Sequence, residues 1–195
     1  MKTVLLFIFL LLPAAGAFAQ TDSLKVRRHE LGLDFLPLLQ PEREASLLYR
    51  NHTGNAAWRV RFQGSFNQAG PGKYTEEFSR SANVSGRLGR EWHYDFNKFR
   101  FYYGLDLSAS YFSMHRSVQR PEWMETRSRN LEFSINPLLG FGYKFNERFT
   151  LSAEGNGCFF AGRQWQSYWQ NWDTPNTYIG FNTFSEFALF LSYRF

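Results

Sequence analysis

The chain ends Phe187-Ala188-Leu189-Phe190-Leu191-Ser192-Tyr193-Arg194-Phe195, apolar at every odd position and aromatic at the last. Successive side chains of a strand point to opposite faces, so this period of two describes a strand with one apolar and one polar side. The same period dominates from Glu30 onward, broken by clusters of Gly, Pro, Asn and Asp that read as turns. In the segment 99–111 the odd positions are Phe99, Phe101, Tyr103, Leu105, Leu107, Ala109 and Tyr111, against Arg100, Asp106, Ser108 and Ser110 at even ones. Leu131 to Phe145 and Trp58 to Phe66 repeat the pattern.

Eight strands are expected, over residues 30–36, 45–51, 56–67, 77–93, 98–113, 128–145, 148–162 and 178–195. Strands of a soluble sandwich usually run ~5–6 residues. Several here are long enough to cross a bilayer when tilted. The connections alternate between short (His52–Asn55, Asp95–Lys98, Asn146–Arg148) and long (Pro37–Glu44, Asn67–Glu76, His115–Arg127, Gly162–Thr177). Short turns on one end and long loops on the other is the plan of an outer-membrane barrel. The expected fold is therefore all-β: an eight-stranded antiparallel up-and-down transmembrane β-barrel. Closure follows because a bare strand edge cannot sit in lipid.

The first nineteen residues stand apart. Lys2 supplies a positive start, Val4 to Leu12 is an unbroken apolar run, and Ala17-Phe18-Ala19 has the small-x-small form of a cleavage site. The run is shorter than the ~20 residues of a spanning helix and meets Pro13. Residues 1–19 read as a cleaved signal peptide and 20–195 as one barrel domain, destined for the outer membrane. No Cys follows the cleavage site, which argues against a lipid anchor.

The formal charge of +5 falls to +4 once Lys2 is removed, too small and scattered a bias for nucleic acid. Arg clusters near the outer connections are instead candidates to meet lipopolysaccharide phosphates. Cys158 is alone, so no internal disulfide or Cys-based metal site is expected, and no His, Asp and Glu group has metal spacing. No cofactor is implied. Mean hydropathy of −0.42 does not contradict a membrane barrel, whose two faces average out. Aromatic residues on the apolar face form two girdles near the expected interfaces, Trp58, Trp92, Phe99, Tyr143, Phe149, Tyr193 and Phe195 at one and Phe66, Phe78, Tyr111, Phe159 and Phe181 at the other.

These features resemble the small outer-membrane barrels of the OmpA/OmpX type, and more narrowly the outer-membrane β-barrel proteins of Bacteroidota. In the terminal assembly signal of such proteins, alternate hydrophobic residues lead to a final Phe, matched here by Leu189, Leu191, Tyr193 and Phe195. Pro137 to Phe145 followed by Asn146-Glu147-Arg148 is similar to their penultimate hairpin. The resemblance implies insertion by the β-barrel assembly machinery, and the chain is expected to be a monomer in outer-membrane lipid.

Three constellations bear on function. The polar face carries acids (Glu30, Asp34, Glu77, Glu91, Asp106, Glu132, Glu154, Glu186) and bases (Arg50, Arg59, Arg61, Arg87, Arg100, Lys144, Arg194) in near balance. An eight-stranded lumen is narrow enough to be filled by side chains. A paired network is expected there, with Asp34, Arg61, Arg87, Asp106, Glu154 and Glu186 among its members; a narrow porin-like path lined by the same groups is the alternative. Trp165, Tyr168, Trp169 and Trp172, set among Gln and Asn, are candidates to bind a sugar or a protein through a loop, or to rest on the interface. His115-Arg116-Ser117 is similar to the site of lipid A 3-O-deacylase barrels, with Glu122, Glu125 or Glu132 as the acidic member. The main expectation is a non-enzymatic barrel with a structural or surface-binding role.

Overall fold

The computed structural model describes residues 28–40, 44–70, 77–119, 123–168, 171–172 and 174–195. The expected export segment lies outside the described residues, as do Glu122 and Trp169. The chain forms β1 (His29–Asp34), a helical turn α1 (Leu36–Leu39), β2 (Ala45–Thr53), β3 (Ala56–Ala69), β4 (Glu77–Phe96), β5 (Phe99–Gln119), β6 (Trp123–Lys144), β7 (Phe149–Tyr168), β8 (Asn171–Trp172) and β9 (Asn176–Arg194). β1 to β7 pair antiparallel in sequence order, β7 pairs with β9, and β9 returns to β1, which closes the ring. The two-residue β8 pairs with the far end of β7. The fold is an antiparallel β-barrel of eight ring strands.

The ladders fix its geometry. Moving sideways through paired residues from Tyr193 to Leu31, Tyr49, Val60, Leu88, Leu107, Ile135 and Phe159 leads back to β9 at Phe181, twelve positions away. Such a stagger requires strands tilted ~40° from the barrel axis. Part of it comes from a register shift in β9 opposite Asn156 and Cys158. There the β6–β7 ladder is also interrupted, beside Pro137, which has no N–H to donate.

One end of the barrel has tight turns. Thr53 pairs with Ala56 and Phe96 with Phe99, leaving two-residue loops whose first members, Gly54 and Asn97, have φ of 64° and 54°. Gly and Asn tolerate that left-handed backbone, which matches the twist of the flanking strands. In the third turn the Asn146 side chain accepts hydrogen bonds from the backbone N–H groups of Arg148 and Phe149, each 2.8 Å.

The other end corrects the expected boundaries. The expected loops 115–127 and 162–177 are largely strand: β5 runs to Gln119, β6 begins at Trp123, β7 runs to Tyr168 and β9 begins at Asn176. Past the apolar segment neither face of these hairpins keeps a regular apolar row, so the alternation that marks a strand fades while the backbone ladder continues.

The side chains are arranged inside out relative to a soluble sandwich. Leu139 is 70% exposed, Phe62 61% and Leu107 59%, while inward-facing Arg59, Arg61, Asp106 and Glu154 are at most 2% exposed. Among the described residues the buried apolar cluster comprises only Leu48, Ala188 and Phe190.

Close packing inside the ring depends on small residues opposite large ones. Tyr102 lies across its cross-strand partner Gly140, where an added Cβ would meet the ring carbon Cζ at 2.1 Å. Gly140→Ala is expected to lower stability by about 1–3 kcal/mol, because the ring must leave its place. Gly86→Ala, where the nearest atom to the new Cβ is 3.9 Å away, is expected to stay within about 0.5 kcal/mol. Urea titration of the refolded variants reads both; equal midpoints would mean that Tyr102 is not held there.

Candidate functional site

The inward face of β1 to β7 and β9 carries a continuous set of ionic contacts. Alternation along each strand points these residues inward, and ring closure brings distant segments together. At the tight-turn end, Asp95 accepts from Arg100 Nε at 2.8 Å and lies 2.6 Å from Lys144 Nζ. Just inside, Glu30 meets Arg50 at 2.7 Å, Arg194 at 3.2 Å and His52 Nε2 at 2.9 Å. The His52 and His93 rings lie 5.2 Å apart, with His93 Nε2 2.7 Å from Glu91.

Arg59 occupies the centre. It donates to Glu91 at 2.9 Å and to Glu154 at 2.7 and 3.0 Å, and its Nε lies 3.3 Å from Asp106. Arg50 and Arg59 face each other directly across the β2–β3 ladder, a juxtaposition that is unfavourable by itself. Glu91 offsets it, lying 2.9 Å from both guanidinium groups. The Tyr102 hydroxyl donates to Glu154 at 3.3 Å.

Toward the hairpin end, Arg61 lies 3.5 Å from Glu154 and 3.9 Å from Asp34 and donates to Glu186. Glu186 also meets Arg87 at 2.6 Å. Asp34 accepts from the backbone N–H groups of Leu36 and Leu189 at 3.1 and 3.2 Å, tying α1 and β9 to β1. Seven acids (Glu30, Asp34, Glu91, Asp95, Asp106, Glu154, Glu186) thus meet seven bases (Arg50, Arg59, Arg61, Arg87, Arg100, Lys144, Arg194). A buried charge without partners costs several kcal/mol, so this matching keeps so polar an interior tolerable. An ion entering the ring would have to compete with contacts already made.

The structure therefore joins Asp34, Arg61, Arg87, Asp106, Glu154 and Glu186 in one network. Its hub is Arg59 with Arg50 and Glu91, which the sequence places on the inward face without marking them as central. Glu77 lies apart: it pairs at 2.6 Å with exposed Arg116 on the hairpin end. Glu132 accepts from the Tyr178 hydroxyl at 3.0 Å.

The other candidates lie beyond this network. His115 Nε2 is 3.8 Å from Glu125, and Ser117 sits across the ladder from Glu125, but no hydrogen bond joins His115 to Ser117. Trp165 stands in β7 opposite Arg129, not in a loop. The backbones of Tyr168 and Trp172 pair with Asn171 and Ser167 at the β7–β8 edge, and their side chains lie outside the described residues. Leu189, Leu191, Tyr193 and Phe195 share the outward face of β9, and Phe195 extends its ladder through an N–H donated to His29 at 2.8 Å.

No family model matches the chain, and no curated protein does. Among solved structures, the crystal structure of Acinetobacter baumannii CarO is similar over 90% of this chain and 100% of that chain, with 8% identity and a TM-score of 0.45. So loose a likeness carries nothing about function, and the barrel assignment stands on the closed ladder itself.

Proposed function

We propose that this chain is an integral outer-membrane β-barrel whose interior is closed by its own ion pairs, serving a structural or surface-binding role without catalysis. The observation that carries this reading is the inversion of its surfaces: a broad outward band of Leu, Ile, Phe and Tyr around a charged interior. Water disfavours such a band and lipid hydrocarbon does not. Trp58, Trp92 and Phe99 near one rim, and Phe66, Tyr111 and Phe159 near the other, supply the aromatic borders. On this reading the export segment 1–19 is cleaved, the tight turns face the periplasm, and the long hairpins project outward. Leu189, Leu191, Tyr193 and Phe195 present the assembly signal to the insertion machinery, and the folded protein is a monomer.

The test is refolding into phospholipid vesicles, followed by conductance across a planar bilayer. A folded form of altered gel mobility before heating, with no steady current, is the expected result. A salt-dependent current would replace the closed interior by a narrow pore, and Glu186→Gln would then have to alter its selectivity. The non-enzymatic part has its own check. Lipid A from cells with and without the protein is expected to give the same mass spectrum, and a lost acyl chain that returns with Ser117→Ala would overturn it.

A further inference from the structure

At the hairpin end the outward face changes character on four consecutive strands. On β6, Phe133 and Leu131 give way to Arg129 and Arg127. On β7, Phe159 and Ala161 give way to Arg163; on β4, Val84 and Ala82 give way to Arg80; and β5 reaches His115 four residues past Tyr111. The ladders bring these residues together. His115 stands directly between Arg80 and Arg127, while Arg129 opposite Trp165 and Arg163 opposite Leu131 are diagonal neighbours. Such neighbours have Cβ atoms ~5 Å apart when directly opposite and ~7–8 Å when diagonal.

The four arginines of this patch are exposed, although acids abound inside the ring. Among the described residues Glu125 is the acid on this outward face, 3.1 Å from Arg127 and 3.8 Å from His115. Arg80, Arg127 and Arg163 against Glu125 leave, among the described residues, a formal surplus of two positive charges. Arg80 is set at the edge of the apolar band, its guanidinium 5.0 Å from the Phe66 ring centre. At the opposite rim Arg90 packs between Trp58 and Trp92.

We infer that this patch binds the phosphate groups of the glycolipid that forms the outer leaflet, with its acyl chains lying against Phe133, Leu131 and Phe159 below. The inference rests on the outer-membrane reading above, which places the hairpin end at that leaflet. Guanidinium groups match phosphate oxygens with two parallel hydrogen bonds. A ligand with phosphates above and acyl chains below answers both the surplus charge and the apolar surface continuous with it.

The test uses the refolded full chain in detergent, titrated with lipid A carrying both phosphates and with the same lipid after chemical removal of its phosphates. The phosphorylated form is expected to bind at least about tenfold more tightly, and Arg129→Gln/Arg163→Gln to lose at least about tenfold of that affinity. Arg80→Gln/Arg127→Gln is expected to act in the same direction, and Arg90→Gln at the far rim to leave binding unchanged. Heat-modifiable gel mobility certifies that each variant folds. Equal binding of the two lipids, wild-type binding by both double variants, or an equal loss from Arg90→Gln would overturn the inference. Displacement of the lipid by inorganic phosphate at comparable concentration would also overturn it, by making the patch a free-anion site. A wild-type chain that enters bilayers but binds neither lipid defeats this inference alone; one that does not enter defeats the membrane reading too.

Discussion

Arg59→Met is expected to destabilise the folded barrel by about 3–5 kcal/mol, the cost of breaking a buried ion pair from one side. Met keeps much of the apolar stem, so the loss reports the charge and its hydrogen bonds more than a cavity. Glu91 and Glu154 would retain other cations, Glu91 through Arg50 at 2.9 Å and Glu154 through Arg61 at 3.5 Å. Asp106 would not, since Arg59 is its ion-pair partner among the described residues. That asymmetry gives a second expected result. Arg59→Met/Asp106→Asn should cost less than the two single changes combined, with a coupling of about 0.5–3 kcal/mol. Arg87→Met is expected to cost less than Arg59→Met, because Arg87 is partly exposed and Glu186 keeps Arg61. Urea unfolding in lipid vesicles measures all four. Strict additivity of the Arg59 and Asp106 changes would mean that the central contact is absent in the folded barrel.

Facing was legible in the sequence wherever one side of a strand is apolar. Phe99 to Tyr111 could be placed outward and Asp106 inward from the period of two alone, and the ladder keeps that assignment. The hub was not legible. Arg59 and Glu154 are 95 residues apart, and they meet because the barrel closes and β7 comes across the lumen from β3. Nothing local distinguishes Arg59 from Arg61 or Arg87; the stagger of the ring decides which carboxylates each guanidinium reaches. The outer hairpins escaped for a different reason. Beyond Tyr111 and Leu131 the strands lose the regular alternation of an apolar side, so His115 to Gln119 and Arg163 to Gln166 read as loop by composition. Their ladders are held by backbone hydrogen bonds, which side-chain alternation does not report.

Leu139→Lys is expected to impair bilayer insertion by about 2–4 kcal/mol, the cost of a cation near the middle of the hydrocarbon face. Leu139 points outward from β6, 70% exposed, with the apolar neighbours Tyr103 across one ladder and Gly155 across the other. No acid stands beside it, and a mid-band side chain is too far from either rim to reach water easily. Ser110→Lys is the matched change on the inward face. Its cross-strand neighbour is Glu132, so the new cation gains a partner in a polar setting and the effect should be much smaller. The fraction folded in vesicles, read from heat-modifiable mobility over a urea series, separates the two. In a soluble barrel the order would reverse, because Lys at an exposed Leu position would improve the surface and Lys at Ser110 would crowd the interior. Tolerance of Leu139→Lys with failure of Ser110→Lys would therefore overturn the membrane reading even if every strand boundary were right.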